Sequence, residues 1–276
     1  MGLGTGGFRF GVGIRSVRSS ADLQDTARRF EDDGFDVVNV PDHIGAPAPF
    51  PVLAAVAQVT STLRVGTYVM NAAFYSPALL ARDAAEVHRV SDGRLELGLG
   101  AGYVRAEFEA AEIPFPSAGT RVAHLEHVTT YLREHHGTIP ILIAGNGDKV
   151  LTVAARYADI IGLTGTDIGK AADDPLAERI ALVRAAAGDR FDDLTLDIAI
   201  TASPVDASGR PDLSMTRRYA SQLSDAEILA LPSVLSGTPR DIADRLRHLR
   251  DTYGVTSFSI QDKHAEHFAK VIAELR

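Results

Sequence analysis

The chain has 276 residues, 45% hydrophobic and 23% charged, which suits a sizeable core in one large α/β domain or two small ones. Its net charge of −8 removes the sequence-independent attraction on which binding to nucleic acid or an acidic membrane rests. It has no cysteine, which excludes disulfides, thiolate catalysis, cysteine-ligated zinc and iron–sulfur clusters, and no apolar run near the roughly 20 residues of a membrane span.

Residues 8–14 alternate as a first strand, and Ser19 or Ser20 caps a helix over 21–33 that Gly34 ends. Strand two is 35–40 and helix 51–60 follows; strand three is 64–70, helix 77–90 carries an apolar stripe, and strand four is 94–99. Val122, Leu125, Val128 and Leu132 mark the apolar face of a helix over 119–135. Strand five (139–144), a helix (149–157), strand six (159–163), a helix (175–187) and strand seven (194–201) continue the alternation. A polar excursion over 203–236 contains one short helix near Ala226, and helix 239–253, strand eight (256–260) and helix 263–275 complete the chain. Eight strand–helix units with no linker predict a single-domain (β/α)₈ TIM barrel over residues 1–276. A doubly wound sheet is the alternative; the count of eight, ending on a helix, favours the closed barrel.

In such a barrel, loops at the carboxyl ends of the strands build the site. These positions hold Asp42 and His43, then Tyr68, Val69, Met70 and Asn71, then Gly100, Ala101, Gly102 and Tyr103. Ala144, Gly145, Asn146 and Gly147 follow strand five, and Thr164 and Gly165 strand six. The set is rich in glycine and hydroxyls and short of convergent carboxylates, which suits holding a cofactor. Glycine turns that enter helices offer free N–H groups and a dipole to an anion, so Gly145–Gly147 reads as a phosphate cradle. His43, with Asp42 the only ionisable pair at a mouth, is placed to deliver a proton beside a hydride acceptor; the blander reading has Asp42 capping the next turn. The Gly98-x-Gly-x-Gly-Tyr stretch lacks the glycine spacing of a dinucleotide fingerprint and reads as a tight turn under a cofactor ring. The pairs His124/His127 and His264/His267 have a metal-compatible spacing without a third ligand, lie opposite their helices' apolar faces and read as solvated; no metal site is expected.

With these residues in hand, the chain resembles the bacterial luciferase-like family of flavin- or deazaflavin-dependent oxidoreductases. VNVPDH (38–43), SPALLARDAAEVHRVSDGRLELGLGAGYVRAEFEAAEIPF, PILIAGNG, VAARYADIIGLTG and GTPRDIADRLRHLRDTYGVTSFSI carry the resemblance in order along nearly the whole chain. It implies a barrel with a flavin-like ring at the strands' carboxyl ends and His43 beside the reactive ring. It also implies a non-prolyl cis peptide at Tyr68–Val69 whose bulge backs the ring, contacts from Ala101, Gly102 and Tyr103 to ring or ribityl chain, and a phosphate held by Gly145–Gly147 and Thr164. Two departures stand out. The family's insertion before strand five is missing, so the connection between helix 4 and strand 5 is shortened to little more than Gly137-Thr138. Tyr103 stands where the sugar-phosphate dehydrogenase branch has a carboxylate. The closing YGVTSFSI is similar to the subgroup using coenzyme F420, and 24 Arg against four Lys fits a high-GC genome. The resemblance therefore implies F420H₂-dependent hydride transfer to a polarised C=C or C=N bond of an enone, imine or dehydroamino acid. An FMNH₂-dependent monooxygenase and a cofactor-free binding or partner subunit are the alternatives. The expected partner is a small-molecule or peptide substrate, with a homodimer left open. With no signal peptide or myristoylation pattern read at the start, a cytoplasmic location is expected.

Overall fold

A computed structural model describes residues 7–164 and 174–276. The first part of the chain gives β1 (Arg9–Gly13), α1 (Ser20–Asp32), β2 (Val37–Val40), α2 (Pro49–Ala57), β3 (Arg64–Thr67), β4 (Met70–Asn71) and α3 (Pro77–Val90). Next come β5 (Leu95–Gly100), α4 (Arg105–Ala110), α5 (Ala118–His136), β6 (Ile141–Ala144), α6 (Asp148–Tyr157), β7 (Ile160–Leu163) and α7 (Pro175–Ala187). The remainder is β8 (Thr195–Ala199), α8 (Ser214–Tyr219), α9 (Asp225–Ala230), α10 (Pro239–Tyr253), β9 (Val255–Gln261) and α11 (Ala265–Leu275).

All pairings are parallel, and the sheet closes because β3 pairs with both β2 and β5. β3 and β4 are two pieces of one stave, so the expected eight-stave (β/α)₈ barrel is what forms. The staves are buried on both faces, as strands covered by helices outside and packed side chains inside require; β5 is buried at all six positions. The shortened connection is also present: α5 ends at His136 and β6 starts at Ile141.

The break between β3 and β4 is a bulge. Register runs Gly66↔Glu96 and then Met70↔Leu99, so the β3–β4 stave carries one residue more than its partner. The Tyr68–Val69 peptide bond in the gap is cis, as the resemblance implied. Where the ladder is interrupted, the Thr67 hydroxyl donates to the Gly98 carbonyl and accepts from the Gly98 N–H, both at 2.8 Å. The glycines of β5 and its turn make room for this bulge. A Cβ on Gly98 would lie 2.0 Å from the Thr67 carbonyl oxygen, one on Gly100 2.8 Å from Val69, and one on Gly102 2.1 Å from the Asn71 amide oxygen. The stretch read as a turn under a ring thus serves the neighbouring stave first.

Two further expectations change. Residues 203–236 contain two helices, α8 and α9, around a small apolar cluster of Ala202, Ala220, Ile228 and Val234. The start of this excursion covers the face of α11 that was read as solvated: His264 is fully buried and His267 nearly so. Burial, then the neighbouring Lys263 charge, pushes the His264 imidazole down to about 4, against the backbone of Pro204 and Ser203. The other pair divides, His127 being exposed while His124 Nε2 donates to the Tyr75 carbonyl at 3.0 Å.

Candidate active site

Two cavities share the carboxyl end of the barrel, with volumes of about 490 and about 1100 Å³. They lie side by side, because Tyr103, Ala199, Thr201, Met215 and Tyr219 line both. Tyr103 and Tyr219 hydrogen-bond to one another across this shared wall, and burial with that contact pushes the Tyr103 phenol above its ordinary value.

The smaller cavity holds His43, delivered by the turn after β2. Its Nδ1 lies 2.7 Å from Glu107 Oε1, whose side chain is largely enclosed. A carboxylate only accepts, so Nδ1 carries the proton, and Nε2 has no hydrogen bond among the described residues. Asp42 turns away: it accepts the Asn71 N–H at 3.0 Å and the Tyr75 hydroxyl, and burial raises its carboxyl first, with those bonds opposing. Asp42 therefore anchors the start of β4, and His43 takes its partner from α4. That short helix has no side-chain cap and no apolar period, so nothing in the sequence announced Glu107.

Below the cavity the barrel interior is polar. The Tyr68 ring is half-buried, but its hydroxyl is enclosed and donates to Asp197 Oδ2 at 2.8 Å, while Ser257 and Ser259 donate to Oδ1 at 2.6 and 3.2 Å. Desolvation raises the Asp197 carboxyl despite these bonds. Beneath it, Arg9 and Arg64 clasp Glu96.

The larger cavity is lined by Ala101, Gly102, Ala144, Gly145, Asn146, Gly147 and Thr164 from the expected set, and by Gly119, Arg121 and Lys149, which were not anticipated. Thr164 donates to the Asn146 amide oxygen at 2.7 Å, joining the turns after β6 and β7. Two helices begin at this cavity, α5 with Ala118 and Gly119 and α6 with Asp148 and Lys149. Gly147 is the N-cap of α6 without a capping side chain, and a Cβ there would meet nothing within 4 Å. Asp148 opposes an anion at this terminus, but Arg179, itself buried, pairs with it. The helix N-terminus, the open space beside it and Lys149 fit the phosphate of a flavin-like cofactor.

Val69, Met70, Asn71 and Gly100 line neither cavity. Met70 is fully buried and the Asn71 amide caps Ala73 at 3.2 Å; these residues shape the wall behind the site. Gly165 lies outside the described residues.

The luciferase-like monooxygenase family model matches residues 7–125. The chain is 31% identical over 173 residues to an F420-dependent glucose-6-phosphate dehydrogenase of Intrasporangium calvum, covering 50% of this chain and 52% of that protein. It is 28% identical over 171 residues to the 5,10-methylenetetrahydromethanopterin reductase of Archaeoglobus fulgidus, covering 55% of this chain and 51% of that one. The chain thus spans about half the length of these curated relatives. Among solved structures, an F420-dependent secondary alcohol dehydrogenase in complex with an F420–acetone adduct superposes with a TM-score of 0.78 at 17% identity, over 98% of this chain and 99% of that one. The coenzyme F420-dependent tetrahydromethanopterin reductase from Methanopyrus kandleri gives 0.74 at 17%, over 98% and 100%. At such identities these two likenesses speak for the fold alone. The resemblance read from the sequence is borne out over residues 7–125, where the chain carries the luciferase-like sequence pattern, and the barrel has the fold of these two solved enzymes.

Proposed function

We propose that this chain is an F420-dependent oxidoreductase that moves a hydride between the deazaflavin and a polarised C=C or C=N bond of a small organic substrate. The observation that supports this most is the pairing of cavities: one with two helix N-termini and glycine turns suited to a phosphorylated tail, the other with an oriented histidine. The F420 dependence of the Intrasporangium calvum relative directs the choice of cofactor.

The bound cofactor would supply the hydride. Glu107 fixes the His43 ring through Nδ1, and the imidazolium form of His43, its second proton taken from water, would give the Nε2 proton to the substrate atom that gains negative charge. Bond and proton balance is then complete: hydride to one end of the double bond, proton to the other. The Tyr68 wall, backed by Asp197, and the bulge behind it give the ring a fixed surface. Gly145, Asn146, Gly147 and Lys149 would hold the phosphate, with Ala101, Gly102 and Tyr103 along the chain that links it to the ring. Tyr103 in place of a carboxylate separates this site from the sugar-phosphate dehydrogenase pattern implied by the resemblance.

Anaerobic fluorescence titration with reduced F420 and with reduced FMN tests the reading. Tight binding of F420 is expected. Binding of FMN alone moves the protein to the monooxygenase reading, and binding of neither makes it a cofactor-free subunit. Gly147→Asp, which sets a carboxylate on the α6 cap, should weaken F420 binding by at least about tenfold; unchanged affinity places the phosphate elsewhere.

A further inference from the structure

The cavity that holds His43 has a charge character opposite to that of the chain. Acidic residues outnumber Lys and Arg by 36 to 28 in the sequence, yet the cavity lining includes Arg15, Arg218 and Lys263 and no carboxylate. Three elements bring these cations together. Gly13 and Gln261 are partners across β1 and β9, and Arg15 and Lys263 lie two residues beyond them, so both leave the barrel at the same seam. The Gln261 amide donates to the Met215 sulfur at 2.7 Å, which seats α8 over the end of β9, and Arg218 follows Met215 by about one helical turn.

None of the three cations has an ion pair or side-chain hydrogen bond among the described residues, whereas the adjacent Arg217 pairs with Asp225. The neighbouring acids are engaged otherwise. Asp212 accepts the Ser214 N–H and hydroxyl, both at 2.9 Å, Asp262 accepts the Lys263 N–H at 2.9 Å, and Glu107 holds His43. A second, independent feature points into the same cavity. Asn39 is only 7% exposed and its side chain makes no hydrogen bond among the described residues. Gly11 and Gly66 make room for it, since a Cβ at either would approach its amide to 2.8 and 2.7 Å. The amide is therefore open to the cavity, where a ligand's polar group would take the place of water on it.

We infer that the substrate of the hydride-transfer site carries an acidic oxygen group, a carboxylate or a phosphate, received by Arg15, Arg218 and Lys263, while Asn39 reads a neutral polar group deeper in the cavity. The inference deepens the proposed oxidoreductase reading and rests on it for the word substrate; the anion site itself needs no cofactor. The three cations are exposed, so their attraction is strongest at low ionic strength.

Isothermal titration of the purified protein at low ionic strength, with sodium phosphate and with sodium succinate, tests it against sodium chloride of matched ionic strength. Saturable binding of at least one probe is expected, and the one that binds identifies the anion. Arg15→Gln, Arg218→Gln and Lys263→Gln should each weaken that binding about tenfold, while Arg82→Gln, on the distant exposed face of α3, should match the parent protein. Binding of neither probe beyond the chloride control overturns the inference, as does equal binding in all variants. Displacement of bound F420 by the anion also overturns it, by assigning the cations to the cofactor's phosphate. Anion binding in a protein that takes up no F420 would instead bring down the oxidoreductase reading and leave the anion site standing.

Discussion

His43 and Glu107 are 64 residues apart in the chain and 2.7 Å apart in the site. The contact fixes the ring, so His43→Ala should lower turnover about a hundredfold while sparing F420 affinity, as steady-state rates and a binding titration would read. Unchanged turnover would take the proton from elsewhere. Gly102 meets a different constraint. Its φ is +71° and a Cβ would overlap the Asn71 amide. Gly102→Ala should therefore destabilise the fold by about 2 kcal/mol in urea denaturation. A loss of a few tenths would mean that Asn71 yields easily.

At the scale of elements, the excursion between β8 and α10 has the widest reach. It lays residues 203–206 over the buried histidines of α11 and carries Met215, Arg218 and Tyr219 to the cavities. The His264 imidazole titrates near 4 in the folded chain against an ordinary 6.5. Between those values the unfolded chain binds the extra proton, so stability is full above about pH 6.5 and falls as the pH drops toward 4. The melting temperature should decline over that window, and His264→Gln should flatten the decline; an equally steep fall in the variant would assign it to other groups. The excursion also marks where sequence reading ran short. The long helices α3, α7 and α10 match their expected bounds because their ends carry local signals: Pro opens each, and a left-handed Gly254 closes α10. The six-residue helices α4 and α8 have neither a capping side chain nor a full amphipathic period, and they form only against a finished barrel. The residues they supply, Glu107 and Arg218 among them, were therefore invisible.

On the scale of the whole molecule, closure rests on staves that are distant in sequence. Glu96 on β5 is clasped by Arg9 on β1 and Arg64 on β3, across the barrel floor. Glu96→Gln would take from two partly enclosed cations the carboxylate that clasps them and should cost about 3 kcal/mol in chemical denaturation. A cost below 1 kcal/mol would show that water reaches the clasp. The barrel itself was legible from eight alternating apolar runs, since parallel staves buried on both faces leave a period that other folds seldom repeat eight times. The cavity linings were legible wherever a stave ends in glycine or a hydroxyl, as at Gly145–Gly147 and Thr164. Met70, Asn71 and Gly100 line neither cavity; the extra residue in the β3–β4 stave shifts Met70 and Asn71 against β5, and no periodicity reveals an insertion of one.

The matched stretch 7–125 contains both members of the His43–Glu107 contact, whereas Arg218 and Lys263, two of the three cations around the mouth, come from α8 and the turn after β9. On the proposed reading the proton donor lies in the matched half, while the residues that receive the substrate are divided, Arg15 and Asn39 in that half and Arg218 and Lys263 outside it. A hybrid that keeps this chain's first half and borrows a relative's second would keep the His43–Glu107 contact and exchange two of the three cations at the mouth.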